Sequence, residues 1–285
     1  MAAAAETCYR YDPGWAARLQ FGLTLKNDRT VVSRLHHEGP LVLQRPFYPE
    51  PDGTCHVYVL HPPGGVVGGD SLDVAVTCDA GASALITTPA ANKFYRSNGL
   101  TATQDHVFTV QEGACLEWLP QETILFDGAR VHSGTKVHLG DRASYLGWEI
   151  VSFGRPACEE IFDTGRFRQS LEIWSGAEPL FIDRIILQDC AEVLNAAWGL
   201  RKMPVMGLMV VSNRDVDILE AAQGRIRNMI EDTSCSSVSV TGCVLVCRCL
   251  GSSSMAIRDQ FIEIWKAIRP VTLGKASCEP RIWAT

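Results

Sequence analysis

The sequence repeats one pattern three times, in LDVAVTCDAGASALITT (residues 72–88), HVFTVQEGACLEWLP (residues 106–120) and TKVHLGDRASYLGWEI (residues 135–150). In each segment a β-rich run leads into a short turn of Gly, Asp or Glu, and a second β-rich run follows. The turns end at Ala82, Ala114 and Ala143, which gives a period of about thirty residues. This period predicts stacked rungs, as in a β-solenoid or distorted β-helix. A sandwich with similar hairpins is the alternative.

Short β-rich runs separated by Gly, Pro and Asp continue on both sides of the repeat. They predict a β-rich body from about residue 15 to residue 190. Residues 191–285 differ, because they combine apolar strands with helical periodicity. We therefore predict a mainly β fold, a distorted β-helix or solenoid of stacked strands with two C-terminal α-helices, in a single domain over residues 1–285.

The two predicted helices cover residues 216–230 and 255–268, where apolar side chains fall on one helical face. Pro270 is expected to end the second helix. Apolar strands at residues 205–211 and 243–250 precede them. This order predicts that both helices pack on one side of the β body.

The composition is that of an ordinary globular protein, with 46% hydrophobic and 20% charged residues in 285. A net charge of −6 without a dense Lys/Arg run argues against a nucleic-acid partner. The longest apolar stretch, residues 203–211, contains Pro204 and Gly207 and is far shorter than the roughly 20 residues of a membrane-spanning helix. Glu6 and Arg10 interrupt any apolar signal segment. We expect a cytoplasmic protein without a membrane partner.

The chain has 11 cysteines, an odd number, and in a reducing cytosol most are expected to pack in the core. Cys243, Cys247 and Cys249 would share one face of a strand. At about 3.3 Å per residue the outer two lie roughly 20 Å apart. Ligands of one zinc ion lie about 2.3 Å from it, so these three are predicted to be structural.

The glycine-rich segment HPPGGVVGGDS, residues 61–71, has the glycine spacing of a phosphate loop at Gly64 and Gly69. Asp70 follows where that motif requires Lys, and the segment leads into a strand rather than a helix. We predict a tight turn that presents Asp70. HExxH, Gly-x-Ser-x-Gly, Rossmann and kinase motifs are absent from the sequence. The motifs therefore predict no enzyme.

Three acidic residues lie inside apolar strands: Asp183 in LFIDRIIL, Glu149 in LGWEIVSF and Glu117 in CLEWLP. A buried carboxylate is costly unless it is paired, hydrogen-bonded or bound to a cation. Both an ion pair and a functional role remain open for each of them. The arginines suggested as partners are Arg142, Arg155 and Arg184.

Longer strings carry a family resemblance: QRPFYPE (44–50), YVLHPPGGVVGGD (58–70), TTPAANKFYRS (87–97), LEWLPQETILFDGA (116–129), FGRPACEE (153–160) and PRIWAT (280–285). In this order, and over nearly the whole chain, the sequence resembles the urease accessory proteins UreD, called UreH in some species. One departure is Glu159, where the family usually has Gly before Glu160.

The resemblance implies a twisted, β-helix-like fold with a few helices and a role as a urease maturation chaperone. UreD-like proteins bind the urease apoprotein together with UreF and the GTPase UreG, and help nickel reach the urease metallocentre. The resemblance further implies an internal channel, no enzymatic activity, and transient Ni(II) rather than a permanently bound cofactor.

A nickel path needs weak ligands, and isolated carboxylates with water meet that need. We expect Asp70, Glu149 and Asp183 to contact the metal ion. Further conduit or motif residues are Asn92, Lys93, Tyr95, Arg96, Glu117 and Glu160. The alternatives are a carbohydrate-active β-solenoid enzyme that uses two carboxylates, and a scaffold whose acids are all salt-bridged. A continuous, water-sized cavity joining the three acids would favour the conduit.

Overall fold

The computed structural model describes residues 14–188, 191–230 and 235–284. The strands there are β1 (Ala16–Lys26), β2 (Arg29–Glu38), β3 (Val42–Leu43), β4 (Cys55–Leu60), β5 (Ser71–Cys78), β6 (Ser83–Thr87), β7 (Asn92–Phe94), β8 (Ala102–Val110), β9 (Cys115–Trp118), β10 (Thr123–Leu125), β11 (Arg130–Leu139), β12 (Ser144–Arg155), β13 (Glu160–Ile161), β14 (Arg166–Ser175), β15 (Glu178–Gln188), β16 (Val205–Ser212), β17 (Ser236–Thr241) and β18 (Val244–Gly251). The helices are α1 (Ala191–Asn195), α2 (Val216–Met229) and α3 (Ser254–Thr272), with 3-10 turns at Pro156–Cys158 and Arg281–Ala284. None of these helices is long and apolar enough to cross a membrane.

The predicted stacking of rungs is confirmed. Strands β5, β8, β11 and β14 pair in parallel, and strands β6, β9 and β12 pair in parallel beside them. The corner alanines of the repeat, Ala82, Ala114 and Ala143, are all buried. Each short turn therefore carries the chain from one sheet to the other, and the next rung pairs with the last.

Antiparallel strands extend the solenoid at both ends. The first sheet has the order β15-β14-β11-β8-β5-β1-β2, and the main path of the second is β17-β18-β16-β12-β9-β6-β4-β3. The apolar inner faces of the two sheets form the main core. The regular parallel rungs are confined to the middle of the molecule, so the β-helix is distorted, as predicted.

Helices α2 and α3 contribute to a second core with the outer face of the second sheet, where Trp148 packs near Phe261. Asp215 and Ser253 cap their first turns, as expected of these residue types. The prediction that Pro270 ends the last helix was wrong, because α3 continues to Thr272. Pro270 lacks the N–H that would bond to the carbonyl of residue 266, but only two further helical residues follow it. The short helix α1 was not predicted, since five residues give no clear period.

Candidate functional site

A cavity of about 240 Å³ lies between the inner faces of the two sheets, beside β7 and β10. This space is well above what a single water molecule needs. Part of the glycine-rich loop, residues 61–65, lines it together with Leu72, Val74 and Trp118. Its polar lining includes Asn92, Lys93, Gln104, His106, Glu149 and Gln169. The largely apolar interior of the solenoid thus carries a group of polar side chains on this side.

Strand alternation places Glu149 in the interior. Tyr145 and Val151 on the same strand, β12, belong to the core between the sheets, whereas Trp148 and Ile150 belong to the core under the helices. Side chains two residues apart share a face of a strand. Glu149 therefore faces the same way as Tyr145 and Val151.

A line of hydrogen bonds, here called the interior polar chain, joins six side chains: Asn92, Gln104, His106, Thr135, Glu149 and Gln169. Burial lowers the pKa of His106 to about 4, so its imidazole is neutral near pH 7. A neutral imidazole has one donor and one acceptor nitrogen. The Gln104 amide donates to His106 Nε2 over 3.0 Å, which assigns the proton to Nδ1, 3.2 Å from Thr135 Oγ1.

Glu149 accepts hydrogen bonds from two members of this chain. Thr135 Oγ1 donates to Glu149 Oε1 over 2.6 Å, and Gln169 Nε2 donates to Oε2 over 2.7 Å. Burial raises the pKa of Glu149 to about 7, the Thr135 hydrogen bond opposes this shift, and the charge of Asp183 adds to it. In the described parts of the chain its bonding partners are neutral, so a cation beside it would stabilise the charged form.

Asp183 has a cationic partner and lines a different cavity, of about 340 Å³. Arg248 Nη2 lies 2.7 Å from Asp183 Oδ1. Leu208 stands in register between Glu149 and Arg248 in the second sheet, and Leu171 pairs with Asp183 in the first. Both leucines are buried. Apolar side chains therefore separate the two acids.

Asp70 lies at the end of the glycine turn and lines neither of these two cavities. Its Oδ1 accepts the Trp15 backbone N–H over 2.8 Å, and its Oδ2 accepts the Val67 N–H over 2.9 Å. Gly69 supplies the left-handed backbone of the turn, with φ +98°. The structure thus does not bring Asp70, Glu149 and Asp183 together in one of these cavities.

Glu117 faces away from the interior and is ion-paired. Arg269 Nη2 lies 2.8 Å from Glu117 Oε1 and 2.8 Å from Glu50 Oε1, and Trp265 Nε1 donates to Glu117 Oε2 over 2.7 Å. The partners suggested from the sequence were wrong. Arg142, Arg155 and Arg184 instead pair with Glu112, Glu160 and Glu172.

Tyr95, Arg96 and Glu160 meet around the turn that follows β10. The Tyr95 ring lies 4.8 Å from that of Phe126, and Arg96 Nη2 lies 2.6 Å from Asp127 Oδ2. Glu160 accepts the Asp127 backbone N–H over 2.8 Å. These contacts brace the turn, whereas Asn92 and Lys93 of the same sequence motif line the cavity.

Two of the three C-terminal cysteines predicted to be structural are fully buried. Cys247 and Cys249 are buried under the helices, while Cys243 lies before β18 and is half-buried. Cys249 Sγ lies 3.1 Å from Ser236 Oγ and 3.2 Å from Gln260 Oε1. Among the described residues, no group of three or more His, Cys, Asp or Glu side chains could hold a metal ion. In the part of the chain that the structure describes, these cysteines therefore belong to no metal-binding group of that size.

Known proteins share this sequence over nearly its full length. A family model described as UreD urease accessory protein matches residues 16–284. Urease accessory protein UreD 2 of Brucella anthropi is 44% identical, over 95% of this chain and 99% of the relative. The UreD proteins of Alcanivorax borkumensis and a Nostoc species are 43% and 39% identical, over 95% of this chain and 93% and 97% of theirs. The chain therefore belongs to the UreD family of urease accessory proteins.

Proposed function

We propose that the chain is a non-catalytic chaperone of urease maturation in the cytoplasm. It binds the urease apoprotein together with UreF and the GTPase UreG, and it helps insert nickel into the urease metallocentre. The observation that carries this proposal is the family match across residues 16–284. The relatives, at 38–44% identity, are named as urease accessory proteins.

In this proposal Ni(II) is a transient cargo that passes through the interior cavity and contacts Glu149. A carboxylate whose bonded partners are neutral hydrogen-bond donors offers a weak oxygen ligand, and weak binding permits release. Asp183 is the next contact, and it becomes available when its pair with Arg248 opens. The leucines between the two acids, Leu171 and Leu208, must shift to let the ion through. Asp70 contributes mainly by holding the glycine turn, because both of its oxygens accept backbone hydrogen bonds.

The test is urease activation by interior variants, with pull-down of the complex measured in parallel. Glu149→Gln keeps the size and removes the charge, so activation slows in part. Glu149→Tyr and Asp183→Tyr fill the interior and slow it further, while the complex still forms. Glu112→Tyr on an exposed corner is the control and leaves activation unchanged. The conduit hypothesis would be contradicted by normal urease activation in Asp70→Tyr, Glu149→Tyr and Asp183→Tyr with the complex intact. Only a scaffold role without metal conduction would then remain.

The carbohydrate-active alternative requires two carboxylates that face one groove. Glu149 and Asp183 line separate cavities, which favours the chaperone proposal. The purified chain is expected to show no turnover of urea, nucleotides or glycans. Hydrolysis that disappeared in Glu149→Gln would instead support the enzyme.

A further inference from the structure

His61 is one of the residues that line the same cavity as Glu149. It comes directly after β4, in which Val57 and Val59 belong to the core between the two sheets. Side chains two residues apart share a face of a strand. His61 is the next residue of this inward-facing row, at the point where the chain leaves the sheet, and its side chain is half-buried.

The cavity reaches the protein surface beside His61. Pro62 and Gly64 also line the cavity, and both are exposed. Two consecutive prolines follow His61, and a residue that precedes proline is held in an extended conformation. The hydroxyl group of Tyr95 donates to the Gly64 carbonyl oxygen over 3.1 Å, which ties this part of the loop to the segment after β7. The backbone of His61 is thus fixed at an entrance to the cavity.

The imidazole of His61 has a nitrogen available for a ligand. In the part of the chain that the structure describes, neither of its ring nitrogens has a hydrogen-bond partner. Burial lowers the pKa of His61 below its ordinary 6.5, against the opposing charge of Asp70, so the ring is mainly neutral near pH 7. A neutral imidazole has a free lone pair on one nitrogen. His106, the other histidine of the lining, differs because both of its ring nitrogens are hydrogen-bonded.

The charges around His61 permit a cation to bind weakly. The negative charge of Asp70 acts on His61. The Asp70 carboxylate accepts two backbone N–H groups and forms no ion pair with any described residue, so its charge is not cancelled by a neighbouring cation. Lys93 also lines the cavity, and its positive charge limits how tightly a cation is held.

We propose that His61 is the entry ligand by which a hydrated Ni(II) ion is captured at the edge of the cavity before it moves inward to Glu149. One imidazole nitrogen binds the ion and water fills its other coordination positions, since the described residues contain no group of three metal-ligating side chains. Imidazole suits nickel, whereas Mg²⁺ prefers oxygen ligands, so this position selects between the two metals. The inference rests on the proposed passage of nickel through the interior, and it adds the first ligand to that path. A single protein ligand keeps the binding weak, as transfer requires.

The first experiment measures the initial rate of urease activation by the assembled complex over a range of NiSO₄ concentrations. His61→Gln keeps a polar side chain of similar length but removes the imidazole ligand. It is expected to raise the NiSO₄ concentration for half-maximal activation by about tenfold, which corresponds to about 1.4 kcal/mol of binding free energy. The rate at saturating nickel stays that of the wild type, because a high concentration replaces capture at the entrance. Glu149→Gln instead lowers the rate at saturating nickel, since it acts on a later step.

His37→Gln is the matched control, because His37 is exposed on β2 and lies outside the cavity lining. It leaves the NiSO₄ requirement unchanged. The thermal midpoint of each variant chain and the recovery of the complex by pull-down are measured in parallel, and both are expected to match the wild type.

A second experiment detects binding without activation. Diethyl pyrocarbonate modifies neutral imidazole, and mass spectrometry of the wild-type complex gives the rate of modification at His61. NiSO₄ is expected to slow this rate, and the same concentration of MgSO₄ is expected to leave it unchanged.

Four results would overturn the inference. An unchanged NiSO₄ requirement in His61→Gln, alongside slow activation by Glu149→Gln, removes His61 and keeps the nickel path. Normal activation by both variants at every NiSO₄ concentration removes the path itself. A lower rate at all NiSO₄ concentrations in His61→Gln, together with a lower thermal midpoint, assigns His61 a structural role. Equal modification of His61 with and without NiSO₄ shows that the imidazole does not bind the ion.

Discussion

The guanidinium group of Arg269 lies 2.8 Å from the carboxylate of Glu117, 152 residues earlier in the chain. Both side chains are almost completely buried. Arg269 also contacts Glu50, so one cation serves two carboxylates. This contact fixes α3 and the C-terminal segment to the outer face of the second sheet.

Replacing Arg269 with Met would leave Glu50 and Glu117 buried without their cation. We expect a loss of roughly 3–5 kcal/mol in the free energy of unfolding, as for other broken buried pairs. Urea denaturation measures it. Arg184→Met breaks the more exposed pair with Glu172 and should cost less than about 1 kcal/mol. Equal losses in the two variants would contradict the importance of the buried cluster.

Stability should depend on pH through Glu149. Its pKa is about 7 in the folded chain, above its ordinary 4.5. Below about pH 4.5, Glu149 is protonated in both the folded and the unfolded chain. As the pH rises between the two values, the unfolded chain ionises first and the folded state loses stability, by about 3 kcal/mol in total. Glu149→Gln removes this loss. The free energy of unfolding of the variant should therefore rise relative to that of the wild type as the pH increases to about 7.

Thermal or urea unfolding of both proteins between about pH 5 and pH 8 measures this difference. The corresponding change at Glu112, which is exposed, serves as the control for loss of a carboxylate at the surface. A difference between Glu149→Gln and wild type that did not vary with pH would mean that Glu149 is not held in an apolar interior.

The cysteines in and just before β18 should be structural. Changing Cys243, Cys247 and Cys249 together to Ala is expected to cost roughly 1–3 kcal/mol, from packing lost mainly at the two buried positions. Urease activation should survive at permissive temperature. Cys243→Ala alone should have little effect on the free energy of unfolding. Loss of metal binding and of urease activation in a folded triple variant would instead reveal a thiolate site.

Glu159 should be replaceable by glycine with a gain in stability. It has φ +57°, a left-handed conformation that costs a non-glycine residue about 1–2 kcal/mol. Glu159→Gly is therefore expected to raise the free energy of unfolding by about 1 kcal/mol, measured by urea denaturation. Glu159→Ala keeps the strained backbone and is the control. A destabilised glycine variant would show that the Glu159 side chain makes a contact of its own.

Local patterns in the sequence were sufficient to predict the stacked strands and the two long helices. The thirty-residue period predicted the stacked rungs because alternation and turn residues act between near neighbours. The long helices α2 and α3 were also predicted by their apolar faces. The interior polar chain was missed, since His106 and Gln169 are ordinary polar residues until the rungs bring them together. Alternation along β8 and β14 was the signal that could have placed them inside.

The sequence by itself determined that this protein stacks β-rungs and buries acidic residues in them. Only the tertiary structure decided what those acids do. Glu117 and Glu149 both lie in apolar strands, yet one faces α3 and pairs with Arg269, while the other faces the interior and meets neutral donors. Strand alternation fixes the two opposite faces, but the partner on each face comes from a distant part of the chain. A buried charge depends on that partner, because only nearby groups can replace the water it has lost.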